Sequence, residues 1–157
     1  MRRVLPLLLL TFMTALAHAE AERVRTYVPM HSKGTETLYV RGSIAGIGDM
    51  EFLVDTGASY LALNEDIIRI LHKSGQARFV KQLSGVMADG RTRNVPLYVI
   101  SELSIGDHCT LRNVEAAVLP GNTRNILGLS ALRKTAPFMF SMDPPSLELS
   151  QCASGSI

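Results

Sequence analysis

One carboxylate in this sequence stands where catalytic chemistry is readily built. In the stretch MEFLVDTGASYLAL, Met50 to Leu63, the apolar run Phe52-Leu53-Val54 carries Asp55 to the end of a strand headed for the interior. Thr56, Gly57, Ala58 and Ser59 follow, all small. Gly57 permits a tight turn that swings backbone amides toward the acid, and such amides favour the charged form of a carboxylate. The missing bulk leaves room for something to approach, and a second copy of the same loop fits that room. Two carboxylates at contact distance share one proton. The charged member can then act as base toward a water and the protonated one as acid toward a peptide carbonyl. A plain turn or cap residue is the simpler alternative for Asp55.

Other chemistries find less support. Gly128-Leu129-Ser130-Ala131-Leu132 has a serine after a glycine but lacks the second glycine of a nucleophile elbow. There is no His-Glu-x-x-His and no Cys-x-x-Cys, so no metal is expected. His108 and Cys109 are neighbours, and neighbours on a strand point to opposite faces. Cys109 as a nucleophile would need a histidine beside it and an exposed thiolate, and neither His31 nor His72 can be placed there. The glycine-rich run from Gly42 to Asp49 opens no helix, which weakens a phosphate-binding reading.

The elements that must position Asp55 are short strands broken by turn residues. Residues 36–46 alternate and end in glycine, and Gly48 to Val54 forms a second strand, giving a hairpin. Asn64 is placed to cap a short helix, Glu65 to His72, with Gly75 just past its end. Phe79 to Ile100 reads as a longer hairpin with Ala88, Asp89 and Gly90 at its tip, where Asp-Gly favours a tight two-residue turn. Two further strands flank Gly106-Asp107, and two more flank Pro144-Pro145. A turn signal every ten residues or so and one or two short helices indicate a mostly-β barrel or sandwich forming one domain.

Of the 157 residues, the first 19 have the three-part pattern of a secretory leader: Arg2-Arg3, an apolar run from Val4 to Ala17, and Ala17-His18-Ala19. The expected division is a leader over 1–19, an extended N-terminal arm over 20–35, the domain over 36–150 and a tail over 151–157. A retained N-terminal anchor is the alternative. The apolar run is short for a span, which takes about 20 residues, and nothing after it could cross a bilayer. Cleavage after Ala19 would place the protein in the periplasm or outside the cell. The full chain carries 16 Lys and Arg against 14 Asp and Glu, and the leader holds two of the arginines. A neutral remainder with no basic stripe argues against nucleic acid as a partner. In an exported chain Cys109 and Cys152 can form a disulfide, although free thiols or a bridge between chains stay open.

From about Thr37 to Leu149 the sequence resembles the retropepsin-like aspartic proteases, in particular the exported bacterial single-lobe type. FLVDTGAS resembles the active-site loop, with Asp55 as the catalytic acid and Thr56, Gly57 and Ala58 beside it. GVMADGRTRNVPLYV resembles the flap, with Ala88, Asp89 and Gly90 at its tip. RNILGLSAL resembles the apolar-apolar-glycine segment, Ile126, Leu127 and Gly128, that supports the active-site loop. The resemblance implies a single-lobe acid-protease barrel, a peptide or protein substrate and no cofactor. Asp55 is the only Asp in the chain followed by Thr or Ser and then Gly, so a complete site implies a homodimer, an isologous contact. The resemblance also implies that terminal strands help hold that dimer, for which Leu147 to Ser150 is the natural candidate. Leu129 and Ser130 depart from the polar pair of viral members, so the contacts of that pair are not expected here. Asp89 at the flap tip is either a turn residue or an acid acting above the catalytic pair. Two alternatives to an endopeptidase remain: a catalytically silent peptide- or protein-binding domain in the cell envelope, and a structural barrel in which Asp55 is a buried cap.

Overall fold

The computed structural model describes residues 25–86 and 89–152. The expected leader over 1–19, residues 20–24, Ala88 at the expected flap tip and residues 153–157 lie outside the described residues. Among the described residues, ten strands form one barrel-like sheet, accompanied by two short α-helices and a 3-10 turn. The strands are β1 (Thr26–Ser32), β2 (Leu38–Ile44), β3 (Gly48–Val54), β4 (Leu61–Asn64) and β5 (Ala77–Val86). They continue with β6 (Thr92–Ile105), β7 (Cys109–Leu119), β8 (Ile126–Leu127), β9 (Phe138–Met142) and β10 (Pro145–Leu149). Helix α1 covers Glu65–Lys73, α2 covers Leu129–Leu132, and the 3-10 turn covers Arg133–Thr135.

The sheet runs β5-β6-β7-β4-β8-β3-β2-β1-β10-β9, and a further pairing of β6 with β2 closes it on itself. The closure needs a residue without a side chain. A Cβ on Gly42 would stand 2.3 Å from the Ser104 carbonyl oxygen, where β2 meets the second half of β6. Alternation along the strands fills the inside: on β2, Leu38, Val40 and Ile44 are buried and Arg41 between them is exposed. Phe52, Leu63, Ile100, Leu103 and Leu127 are sealed from solvent at its centre. Each such side chain contributes about 1.5–3 kcal/mol over an exposed one. Helix α1 closes one side through Ile68 and Leu71, and the Asn64 side chain accepts from the Ile67 amide at 3.0 Å.

Two features differ from the sequence-based expectation. Residues 26–32, expected as an arm ahead of the domain, are extended but belong to the sheet, Thr26 to Pro29 pairing with β10 and Met30 to Ser32 with β2. The long hairpin and the strand before Gly106 are continuous, because β6 runs unbroken through Ser101. There the Ser101 amide turns to the Gln76 carbonyl at 2.8 Å, opposite Asn113 in the left-handed region (φ 53°). The strand thereby passes from β5 to β2 without a turn residue to announce it. Of the hairpin tip, the described register reaches Val86 opposite Thr92, and the turn expected there lies partly outside the described residues.

Candidate active site

Asp55 is positioned by a crossing of three strands. Two-residue β8 lies between β3 and β4, parallel to the first and antiparallel to the second. The Leu53 amide donates to the Asn125 carbonyl at 2.9 Å and the Asp55 amide to the Leu127 carbonyl at 3.2 Å. The end of β3 is thus fixed by backbone bonds on the side of β8. From there the loop from Asp55 to Tyr60 arches over the end of β8 and returns as β4. Inside the loop the Gly57 amide donates to Asp55 Oδ1 at 2.8 Å, and the Ala58 amide to the Asp55 carbonyl at 3.3 Å.

Gly128 sits directly beneath the arch. A Cβ there would come 2.1 Å from the Tyr60 carbonyl oxygen and 2.7 Å from that of Ala58. The amides that follow it, Leu129 and Ser130, donate to the carbonyls of Ala58 and Ser59 at 2.8 and 3.0 Å. Leu127 and Gly128, with Ile126 ahead of them, thus lie directly against the acid loop. Ser130, noted in the sequence only as a departure, turns out to be a brace. Its hydroxyl accepts from the Leu61 amide at 2.7 Å and donates to the Glu115 carbonyl at 2.6 Å, joining β4, α2 and β7. A serine at the first turn of a helix is common enough that no sequence signal pointed to it.

A cleft of about 790 Å3 opens over the loop. Its floor is Asp55, Gly57, Ala58, Ser59 and Tyr60; Leu83, Ser84, Gly85, Val86 and Val95 of the β5–β6 hairpin face it, and Ala117, Leu119 and Ile126 form the back. Asp55 carries the only charged side chain among these lining residues and is half-buried, while Thr56 and Gly57 are exposed. A second cavity of the same volume, between the β2–β3 hairpin and the β6–β7 turn, is lined by Arg41, Asp49, Glu51 and Asp107 and holds none of the loop residues. The Asp55 cleft is the one with an acid held by a built support.

Asp89 and Gly90 lie at the hairpin tip and outside the lining of the cleft. Asp89 Oδ1 accepts from the Arg91 amide at 3.0 Å, and Oδ2 lies 3.7 Å from Arg91 Nε. The acid thus serves its own turn and is matched by its neighbour's charge. Cys109, at the start of β7, and Cys152, just past β10, are joined by a disulfide (S–S 2.10 Å). Cys109 is fully buried.

A protein-family profile described as "gag-polyprotein putative aspartyl protease" matches residues 40–134, which include the Asp55 loop, the hairpin and Gly128. No curated protein sequence matches significantly. Among solved structures, the crystal structure of a retropepsin-like aspartic protease from Rickettsia conorii aligns with a TM-score of 0.56 at 21% identity. The alignment covers 83% of this chain and 94% of that one, which establishes a shared fold. With more than half of the chain matched by the profile and the loop, hairpin and supporting glycine in place, this chain belongs to the retropepsin-like aspartyl protease family.

Proposed function

We propose that the protein is an exported aspartic endopeptidase, active as a homodimer in which two Asp55 carboxylates share one proton. The observation that carries this reading is a single Asp55 loop, braced from beneath and facing a cleft with no other charged lining residue among the described residues. One carboxylate is half of a proton-sharing pair, and a twofold contact supplies the other half. The charged member takes a proton from the attacking water. The protonated member donates to the carbonyl oxygen of the scissile peptide, and collapse of the tetrahedral adduct releases the amine. An extended substrate pairs with the hairpin as an added strand, and Leu83, Val95, Leu119 and Ile126 favour apolar side chains around the bond. Export fits the disulfide, since such bonds persist in oxidising compartments.

The test is cleavage of a broad peptide library by wild type and Asp55→Asn from acidic to neutral pH, on protein whose N-terminus has been sequenced. Wild type should cleave with a bell-shaped pH profile, and the variant should lose at least about 100-fold in kcat/KM. A wild type indistinguishable from Asp55→Asn sinks the peptidase reading. An N-terminus starting at Met1 sinks the cleaved leader.

A further inference from the structure

The β5–β6 hairpin that faces the Asp55 cleft is basic. From Ala77 to Ile100 it carries Arg78, Lys81, Arg91 and Arg93 against a single acid, Asp89, and that acid serves Arg91. Among the described residues, Arg93 is in no ion pair. An unpaired surface cation is ordinary, so the weight falls on where this one stands.

Residues paired across a hairpin share a face, and the face alternates along each strand. Leu83 pairs with Val95, and Gly85 pairs with Arg93. Val95 is 7% exposed and lines the cleft together with Leu83. Arg93, two residues nearer the tip, is therefore on the cleft side of the hairpin. The lining contributed by β5 runs from Leu83 to Val86, and Arg93 stands opposite a residue within that run. That residue has no side chain. Where a Gly85 Cβ would lie, Val95 Cγ2 is 3.5 Å away and the Arg93 carbonyl oxygen 3.9 Å, so a notch is left open beside Arg93. Being exposed, Arg93 stands at the mouth of the cleft rather than in its lining. Lys81 shares the face, opposite Leu97, but lies before the lining begins.

We propose that Arg93 selects among substrates by taking the carboxylate of an Asp or Glu side chain at one position of a peptide lying in the cleft. The inference deepens the reading of that cleft as a peptide site and rests on it. A guanidinium presents a planar fork that a carboxylate fills with two parallel hydrogen bonds. No cation within the lining competes for that carboxylate, since Asp55 is the one charged lining residue among the described residues. The negative charge of Asp55 repels an acidic side chain set beside it, so the acid is accepted at the mouth and not next to the scissile bond. The hairpin's other cations draw acidic peptides toward the opening, whereas Arg93 fixes the position at which the acid is read.

The test measures binding rather than cleavage, on Asp55→Asn protein, which holds a peptide without consuming it. Fluorescent peptides with an apolar centre carry one Glu, moved along the chain, and each is compared with its Gln twin by anisotropy. Cooperative unfolding checks that every variant folds. At one position Glu should bind at least about fivefold tighter than Gln, and less so at high salt. Adding Arg93→Gln should abolish the difference, Arg93→Glu should move the preference to Lys at the same position, and Lys81→Gln should leave it in place. No position preferring Glu, a preference that survives Arg93→Gln, or one lost equally with Lys81→Gln overturns the inference. Wild type that cleaves peptides with no Glu preference sinks this assignment and leaves the peptidase reading standing. An Arg93-dependent preference in a protein whose wild type cleaves nothing upholds the assignment and sinks only the peptidase reading.

Discussion

Gly128→Ala is the substitution for which the structure gives the largest effect from the smallest chemical change. The backbone at Gly128 (φ −97°, ψ −173°) is extended and open to any residue, so the glycine is required for its lack of a side chain. The added methyl would stand 2.1 Å from the Tyr60 oxygen, and relief to an ordinary contact of 3.4 Å moves the arch by about 1.3 Å. Overpacking of this kind costs about 1–3 kcal/mol. The same movement stretches the bonds from Leu129 and Ser130 to the loop, each worth about 1 kcal/mol, for a total of about 3–5 kcal/mol. With a slope of about 2 kcal/mol per M, the urea midpoint should fall by about 1.5–2.5 M. Because the arch carries Asp55, a displacement near 1 Å should also lower kcat/KM by about 100-fold. Gly85→Ala is the control: its Cβ would lie 3.5 Å from Val95 Cγ2, an ordinary contact, and should cost less than about 1 kcal/mol. A Gly128→Ala protein within about 0.5 kcal/mol of wild type would refute the steric argument.

Ser130→Ala should destabilise by about 1–3 kcal/mol, since it strips the Leu61 amide and the Glu115 carbonyl of their shared partner; Ser130→Thr, which keeps the hydroxyl, should recover part of this in the same urea titration. Lys33, and after it His31, hold the Glu51 carboxyl below its ordinary value of 4.5. A depressed folded value means that the stabilisation is complete above the ordinary carboxylate range and is lost as pH falls through it. Glu51→Gln should therefore lose less stability than wild type on acidification, by up to about 1 kcal/mol for so exposed a cluster; parallel acid limbs in thermal melts would contradict this. Reducing the disulfide, which closes a loop between positions 43 apart, should lower stability by about 4 kcal/mol on the chain-entropy argument, read as a drop in the urea midpoint on adding dithiothreitol.

Much of the site was legible because its signals are local. Phe52 to Gly57 needs only near neighbours to carry an acid from a buried strand into a tight turn, and Asn64 caps α1 through the amide three residues on. Ile126-Leu127-Gly128 was legible through its likeness to a family pattern. What Gly128 is for was not, because the oxygens it must clear, those of Ala58 and Tyr60, come from about seventy positions earlier. The same holds for Ser130, whose two partners lie on β4 and β7. Strand β6 hid its change of partner at Ser101, since the turn is made by Gln76 and Asn113 opposite rather than by its own residues. The chain's ends were the least legible. Thr26–Ser32 is too weakly patterned to announce a strand, and it becomes one only because β10 supplies partners to its first half and β2 to its second. Asp55, its glycine turn and the count of one acid loop are properties of consecutive residues, so the sequence alone determined them. Which edge is left open depends on pairings between residues more than a hundred positions apart. Only the tertiary structure could fill both sides of β10 and, among the described residues, leave the outer side of β9 unpaired.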